Sequence, residues 1–176
     1  MNKKIQNEQS DNWVEIYTDD YDFESCSIAK ILADDSYYYL LANVTPRGKS
    51  DGLYLLKHDD VVGLQRNTAY INKVKTLYHL KQENHLEYNG EKQNLLLGLL
   101  HFAKQKELII SVVMGDSDLY GLQGFVKDID EEILTITNVN SFGDEDGESA
   151  VLLKDISAIA CDDENGSDLK LLHSNK

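Results

Sequence analysis

The sequence of 176 residues is poor in proline, tryptophan, cysteine and positive charge. It contains one proline, one tryptophan and two cysteines, and it has 17 basic residues against 31 acidic ones. The net charge of −14 argues against non-specific binding to nucleic acid or to an anionic membrane, because phosphate groups are bound by lysine and arginine. The two cysteines, Cys26 and Cys161, indicate free thiols in a cytoplasmic protein rather than a disulfide framework.

Long apolar runs and known catalytic motifs are also absent. The longest apolar-rich run, LLLGLLHF at residues 95–102, is far shorter than the roughly 20 residues that span a bilayer. The N-terminal residues MNKKIQNEQSDN lack the apolar stretch of a signal peptide. No histidine pair has the i, i+4 spacing of a helical zinc site, and there is no C-x-x-C, G-x-S-x-G or phosphate-binding glycine loop. We therefore expect no enzymatic activity, no metal centre, no cofactor and no membrane contact.

Two ten-residue segments of the chain share one outline. NVTPRGKSDG (Asn43–Gly52) and NVNSFGDEDG (Asn138–Gly147) carry Asn, Val, Gly, Asp and Gly at identical positions, 95 residues apart. The apolar pattern extends this offset without a gap from residues 13–77 to residues 108–172. Self-similarity at a fixed offset indicates a duplicated structural unit. We call these ranges the first and second halves, and a residue 95 positions from another is its counterpart.

Each half has the sequence features of a small β domain. Segments such as WVEIYT and ELIISVVM are rich in β-branched and aromatic residues. We expect five short strands in each half, with a fourth strand at LYLLKHDDVVGL and at SAVLLKDISAI. The Asn165–Gly166 pair predicts a hairpin turn before a fifth strand at LKLL, residues 169–172. Short strands with turns about every 8–12 residues are typical of a small barrel or sandwich.

One segment between the halves has helical periodicity instead. Residues Glu91–Glu107, EKQNLLLGLLHFAKQKE, place leucines and Phe102 on one face. Gly98 costs about 1 kcal/mol relative to alanine in a helix but does not end the pattern. The predicted organisation is a polar N-terminal tail (1–12), a first small β-barrel (13–80), a linker with an amphipathic helix (81–107) and a second small β-barrel (108–173).

A helix followed by five bent antiparallel strands resembles the Sm-like fold, a small SH3-type barrel. The second half matches the family's Gly-x-Val and turn Asp at Gly124, Val126 and Asp130; the first half matches at Ile31 and Asp35, with alanine at position 29 in place of the glycine. The resemblance implies a mainly β chain of two Sm-like, SH3-type five-stranded barrels from an internal duplication, with one amphipathic helix between them. It also implies edge-to-edge assembly.

The RNA-contacting motifs of that family are not matched. Tyr39 and Leu134 stand where an asparagine is usual, and VVGL and ISAI stand where Arg-Gly is usual. These residues would not stack on a base or form a hydrogen bond to it as the family's motifs do. The resemblance therefore implies the fold without carrying RNA binding across.

Surface charge and exposed tyrosines suggest where partners bind. The first half has 7 basic and 10 acidic residues (net −3), and the second has 3 basic and 15 acidic (net −12). On a strand, Tyr37 and Tyr39 would share one face and Tyr38 the other, and tyrosine is favoured at interfaces. Packing of these rings in the core is the alternative. The candidate interaction residues are Tyr37, Tyr39, Arg47, Lys49, Arg66, Asp144, Glu145 and Asp146.

The acidic loop GDEDGES, residues 143–149, has two possible interpretations. It is either a solvated turn or a weak cation site. An EF-hand does not fit, because the twelfth position from Asp144 is Asp155 and apolar residues occupy the ligand positions between them.

The sequence as a whole predicts a non-enzymatic protein-interaction or assembly module that forms a homo-oligomer. One alternative is RNA binding by the less acidic first half, through Tyr37, Tyr39, Arg47, Lys49 and Arg66. Another is a small-ligand site between the barrels.

Overall fold

The computed structural model describes residues 12–18, 26–115 and 122–175. These residues form ten strands and three α-helices, which confirms the mainly β class. The strands are β1 (Trp13–Tyr17), β2 (Ser27–Asp34), β3 (Tyr38–Val44), β4 (Ser50–Lys57), β5 (Gly63–Gln65), β6 (Ile109–Met114), β7 (Leu122–Ile129), β8 (Ile133–Val139), β9 (Glu145–Leu152) and β10 (Ile156–Cys161). The helices are α1 (Ala69–Leu80), α2 (Leu95–Lys106) and α3 (Glu164–Ser174).

The ten strands form a single antiparallel sheet in the order β5-β1-β2-β3-β4-β10-β6-β7-β8-β9. The sheet is open, so the two closed barrels expected from the sequence are not confirmed. Each half contributes its strands in the same order, with its fifth strand beside its first. The halves join where β4 pairs with β10, and residues 53–56 lie opposite residues 158–161.

The offset of 95 residues relates secondary structure elements of the two halves. Adding 95 to both bounds of β2, β3 and β4 gives the bounds of β7, β8 and β9. The turns that follow β2 and β7 also use the same hydrogen bonds. The Oδ1 atom of Asp35 accepts hydrogen bonds from the N–H groups of residues 37 and 38, and Oδ1 of Asp130 accepts them from residues 132 and 133, all at 2.8–2.9 Å. The halves therefore share local backbone structure as well as a sequence pattern.

The predictions for the end of each half were wrong in two respects. Short 3-10 turns at His58–Asp60 and Leu153–Asp155 divide each predicted fourth strand into two, which produces β4 with β5 and β9 with β10. The predicted hairpin and fifth strand at residues 165–172 belong to α3. The side chain of Asp163 accepts a hydrogen bond from the Gly166 N–H group at 3.0 Å, and this N-cap starts a helix where Asn-Gly predicts a turn.

The first half contains a helix at the corresponding place. The Thr68 hydroxyl caps α1 by accepting a hydrogen bond from the Ile71 N–H group at 3.1 Å. Thr68 and Asp163 are counterparts, so the two caps repeat with the offset. The prediction of one helix in the chain is therefore corrected to three helices among the described residues.

Helix α2 lies within the predicted helical range and packs over the junction between the halves. The Asn94 side chain caps it by accepting a hydrogen bond from Leu97 N–H at 3.1 Å. Asp35 Oδ2, 60 residues away, accepts another from Leu95 N–H at 2.8 Å. One core cluster combines residues of α2 with residues of both halves: Leu53, Leu55, Leu95, Leu99, Leu100, Phe102, Ile110, Val112, Ile136 and Ile159. The helix thus holds the two halves together by apolar burial.

The segment that follows α1 folds back onto the first half. His85 Nε2 donates to the carbonyl oxygen of Asn43 at 2.5 Å, so Nδ1 of the neutral ring accepts from the Tyr78 hydroxyl at 2.9 Å. Burial lowers the pKa of His85, and Lys30 adds to that effect, while the Asn43 hydrogen bond and nearby Glu83 oppose it. The folded chain therefore favours the neutral imidazole.

This environment predicts that acid destabilises the protein through His85. The pKa of His85 lies below the value of about 6.5 expected in the unfolded chain, so the unfolded state binds more protons between the two values. The stability that neutral His85 contributes is present above pH 6.5 or so and is lost as pH falls through the folded pKa. Unfolding free energies at pH 8 and pH 5 should differ more for the natural chain than for His85→Gln. Equal differences would contradict this account.

Candidate functional site

The two ends of the sheet are edge strands with different chemistry. β5 has three residues and is followed by Arg66, whereas β9 has eight and carries Glu145, Asp146 and Glu148 as exposed side chains. An exposed edge has unpaired backbone groups that another strand can join, and charged side chains limit that pairing. The acidic side chains of β9 therefore disfavour pairing of this edge with another acidic strand.

The covered and uncovered parts of the sheet differ in polarity at counterpart positions. Leu53 and Leu55 of β4 are buried, and both belong to the core cluster that α2 joins. Their counterparts on β9 are Glu148, which pairs with Lys127 at 2.5 Å, and exposed Ala150. This part of β9 is polar because no described helix covers it as α2 covers β4.

The acidic residues that the sequence predicts as interaction residues lie in β9 and in the loop before it. The Asn140 side chain accepts hydrogen bonds from Phe142 N–H at 2.9 Å and Asp144 N–H at 3.1 Å, which orders the loop before β9. Glu145 and Asp146 begin the strand and are exposed. No group of three or more His, Cys, Asp or Glu side chains in the described part of the chain is placed to hold a metal ion.

The three consecutive tyrosines have three different environments. β3 begins at Tyr38, so Tyr37 belongs to the preceding turn and is 69% exposed. Tyr38 is buried, and its hydroxyl donates to the carbonyl oxygen of Ile156 in the other half at 2.9 Å. The Tyr39 ring is half-buried, with its centroid 4.2 Å from that of His58. Tyr37 is thus the most exposed of the three tyrosines and is open to a partner, as expected for at least one of them.

The basic candidates of the first half lie at exposed positions near α1 and β5. Arg47 and Lys49 are exposed in the β3–β4 loop, and Arg66 is exposed after β5. Gly48, at φ +71°, packs against α1, where an added Cβ atom would lie 2.5 Å from Leu77 Cβ. Gly143 packs against α3 in the same way in the acidic loop. Each loop is thus seated on the helix of its own half.

A cleft with a volume of about 850 Å³ lies between the halves beside α2. Turn residues of both halves line it, including Tyr37 and Glu132, together with Leu97 of α2, Lys57 at the end of β4 and Lys154 after β9. Clefts of about 300–1,000 Å³ with apolar walls and a few polar groups are typical of ligand sites. This cleft is the place where a molecule between the halves would bind.

A buried carboxylate in the first half was missed by sequence reasoning. Glu15 is 4% exposed, and it accepts hydrogen bonds from the Tyr17 hydroxyl at 2.8 Å and from the Thr68 hydroxyl. The hydrogen bond to Glu15 is the main cause that raises the pKa of Tyr17 to about 12. The counterpart of Glu15 is Ile110. A glutamate at a position where the other half has isoleucine was the one sequence feature that could have indicated a buried carboxylate.

The thiol beside this carboxylate is kept protonated. Cys26 Sγ lies 4.0 Å from Glu15 Oε2, and burial together with the Glu15 charge raises its pKa. Because the thiolate is the reactive form, this arrangement disfavours nucleophilic chemistry at Cys26. Glu15 and its partners join β1 to the start of α1.

None of the helices in the described part of the chain is long and apolar enough to cross a membrane. No protein-family model, no curated protein and no solved structure matches this chain.

Proposed function

We propose that this chain is a non-enzymatic interaction module that assembles with further copies of itself through its sheet edges. The observation that carries the proposal is the antiparallel pairing of β4 with β10 inside the chain. The counterparts of these two strands, β9 and β5, are the two ends of the sheet. Strand β9 of one molecule is therefore able to pair with β5 of another molecule, in the way that β4 pairs with β10 within one chain.

The internal junction provides a register for this contact. Leu53 lies opposite Cys161, and their counterparts are Glu148 and Arg66. A head-to-tail contact in the same register places the Glu148 carboxylate opposite the Arg66 guanidinium of the next molecule. Opposite charges across a strand pair contribute about 0.2–1 kcal/mol. The strongly acidic second half also meets the less acidic first half, which favours this orientation over one that joins two β9 edges.

The expected result is an oligomer of the 19.9 kDa chain. Light scattering in moderate salt should give a mass of at least two chains at micromolar concentration. Arg66→Glu and Glu148→Arg should each weaken assembly, and the double variant should recover part of it, because the charges are exchanged while Lys127 now faces a like charge. A monomer mass for the natural chain would refute the proposal.

A small-ligand site is the second candidate function, and the 850 Å³ cleft between the halves favours it. A ligand that binds there only in the folded state raises the melting temperature, because it stabilises the folded chain by RT ln(1 + L/Kd), where L is the free ligand concentration. A small-molecule fragment screen followed by thermal shift should yield binders that Leu97→Arg abolishes and that Leu80→Arg, at an exposed α1 position, leaves intact. Fragments insensitive to Leu97→Arg would remove this candidate.

A further inference from the structure

The chain that follows α1 fills a groove between the sheet and α1 in the first half. Glu83 Oε2 accepts a hydrogen bond from the Ser50 N–H group at the start of β4, at 3.1 Å. Two residues later, the His85 ring stacks on Tyr78 with ring centroids 5.5 Å apart and donates to the Asn43 carbonyl. A short extended segment, with a carboxylate and then a ring, therefore occupies this groove.

The second half has a cavity at the place that corresponds to this groove. The counterparts of Asn43, Ser50 and Tyr78 are residues 138, 145 and 173. At this place there is a cavity of about 370 Å³, lined by Phe125, Thr137, Glu145 and His173 together with the end of α2. The cavity lies within the size range of about 300–1,000 Å³ that ligand pockets have. The segment bound in the first half indicates that a peptide has suitable dimensions for this cavity.

Differences between the halves change the side chains that fit. Ser50 is replaced by Glu145, whose carboxylate repels an acidic ligand residue and attracts a basic one. Lys30 is replaced by Phe125, whose ring centroid lies 5.1 Å from that of His173. An aromatic side chain packs well against such a pair of rings.

The cationic side chains at this cavity already have partners. Lys104 pairs with Asp128 at 3.4 Å, and Lys170 Nζ donates to the Lys106 carbonyl at 3.2 Å. Glu107 lines the same cavity as Glu145. The arrangement therefore favours a basic residue on the ligand.

Two exposed apolar side chains lie along the path that such a segment would take. In the first half, Lys81 Nζ donates to the Arg47 carbonyl at 2.6 Å, so the chain passes the β3–β4 loop on its way to the groove. The counterpart of Arg47 is Phe142, which is 73% exposed. Leu172, which is 48% exposed, lies on α3 beneath this loop. Both side chains are exposed and can contact a segment that follows this path.

We infer that the groove bounded by the end of α2, strands β7–β9 and α3 binds an extended segment of a partner protein that has a basic residue two positions before an aromatic one. The basic residue pairs with Glu145, and the aromatic ring enters the cavity beside Phe125 and His173. The backbone of the segment passes over Phe142. This inference deepens the proposed interaction role by naming the partner's chemistry, and it does not require the sheet edges to pair.

The test uses the full chain and two synthetic peptides. Both have the sequence of residues 79–88 with His85→Phe; one retains Glu83 and the other carries Glu83→Lys. The lysine peptide should bind at least about 10-fold more tightly than the glutamate peptide, equivalent to about 1.4 kcal/mol. In the variant Glu145→Lys the preference should reverse. In Asp146→Lys it should remain, because the next side chain on β9 points to the other face of the strand.

Nuclear magnetic resonance then locates the bound peptide. Shift changes should concentrate on Phe125, Thr137 and His173. Binding that is equal for both peptides, binding indifferent to Glu145→Lys, no binding at millimolar peptide, or shifts confined to the first half would each overturn the inference. Light scattering tests edge assembly separately from this site. If the chain is an oligomer but binds both peptides equally or not at all, edge assembly stands and this site is refuted. If the chain is a monomer but prefers the lysine peptide, this site stands and edge assembly is refuted.

Discussion

Replacing Asp35 with alanine should lower the free energy of unfolding by about 3 kcal/mol, whereas the same change at its exposed counterpart Asp130 should lower it much less. Both carboxylates accept two N–H groups of the turn that follows. Asp35 alone also accepts Leu95 N–H at the start of α2. Its removal leaves that helix with one cap fewer and loosens the contact between α2 and the first half. Urea unfolding of both variants measures the difference.

Asparagine at the two positions sharpens this comparison. Asp130→Asn retains an oxygen for the turn and should be nearly neutral, whereas Asp35→Asn presents an amide group to the Leu95 N–H donor and should lose most of the cap. Burial opposes ionisation of Asp35, but the hydrogen bonds from residues 95, 37 and 38 outweigh it and lower its pKa. This contribution is therefore present above about pH 3.9 and is lost as pH falls through the folded value. Equal losses for Asp35→Ala and Asp130→Ala would contradict the bridging role.

Replacing Gly124 with alanine should destabilise the chain by about 3 kcal/mol or prevent folding, since overpacking of this kind costs that much where the backbone cannot yield. An added Cβ atom would lie 2.0 Å from the carbonyl oxygen of Thr137 and 2.8 Å from its carbonyl carbon. Both are backbone atoms of the paired strand β8. Relief therefore requires the two strands to separate.

The counterpart of Gly124 provides the matched control. Ala29 is fully buried in β2, which has the same bounds as β7 after the offset. Ala29→Gly removes one methyl group and should cost only about 1 kcal/mol, from lost burial and added backbone freedom. Far-ultraviolet circular dichroism and urea titration of both variants decide the matter. If Gly124→Ala were as mild as Ala29→Gly, the close approach of β7 and β8 would be wrong.

Local structure was largely determined by the sequence. β-branched and aromatic segments identify the strands, and Asp35 and Asp130 identify the turns because an aspartate side chain bonds to backbone N–H groups a few residues on. The leucine periodicity identifies α2. The missed helix α3 also had a local signal in the capping residue Asp163, which the Asn-Gly pair obscured. These features depend on interactions within a few residues, so a sequence pattern reports them directly.

Only the tertiary structure decided how the halves join and where surfaces remain open. Unpaired strand edges present the same N–H and C=O groups, so nothing in the local pattern selects β10 as the partner of β4. That choice depends on α2, which buries Leu53 and Leu55 together with residues of the second half. The groove of the first half and the cavity of the second could not be predicted from the sequence either. Glu83 and His85 form hydrogen bonds with residues 33 and 42 positions away along the chain. Contacts of such separation arise from burial and hydrogen bonding in the complete fold, which no short pattern encodes.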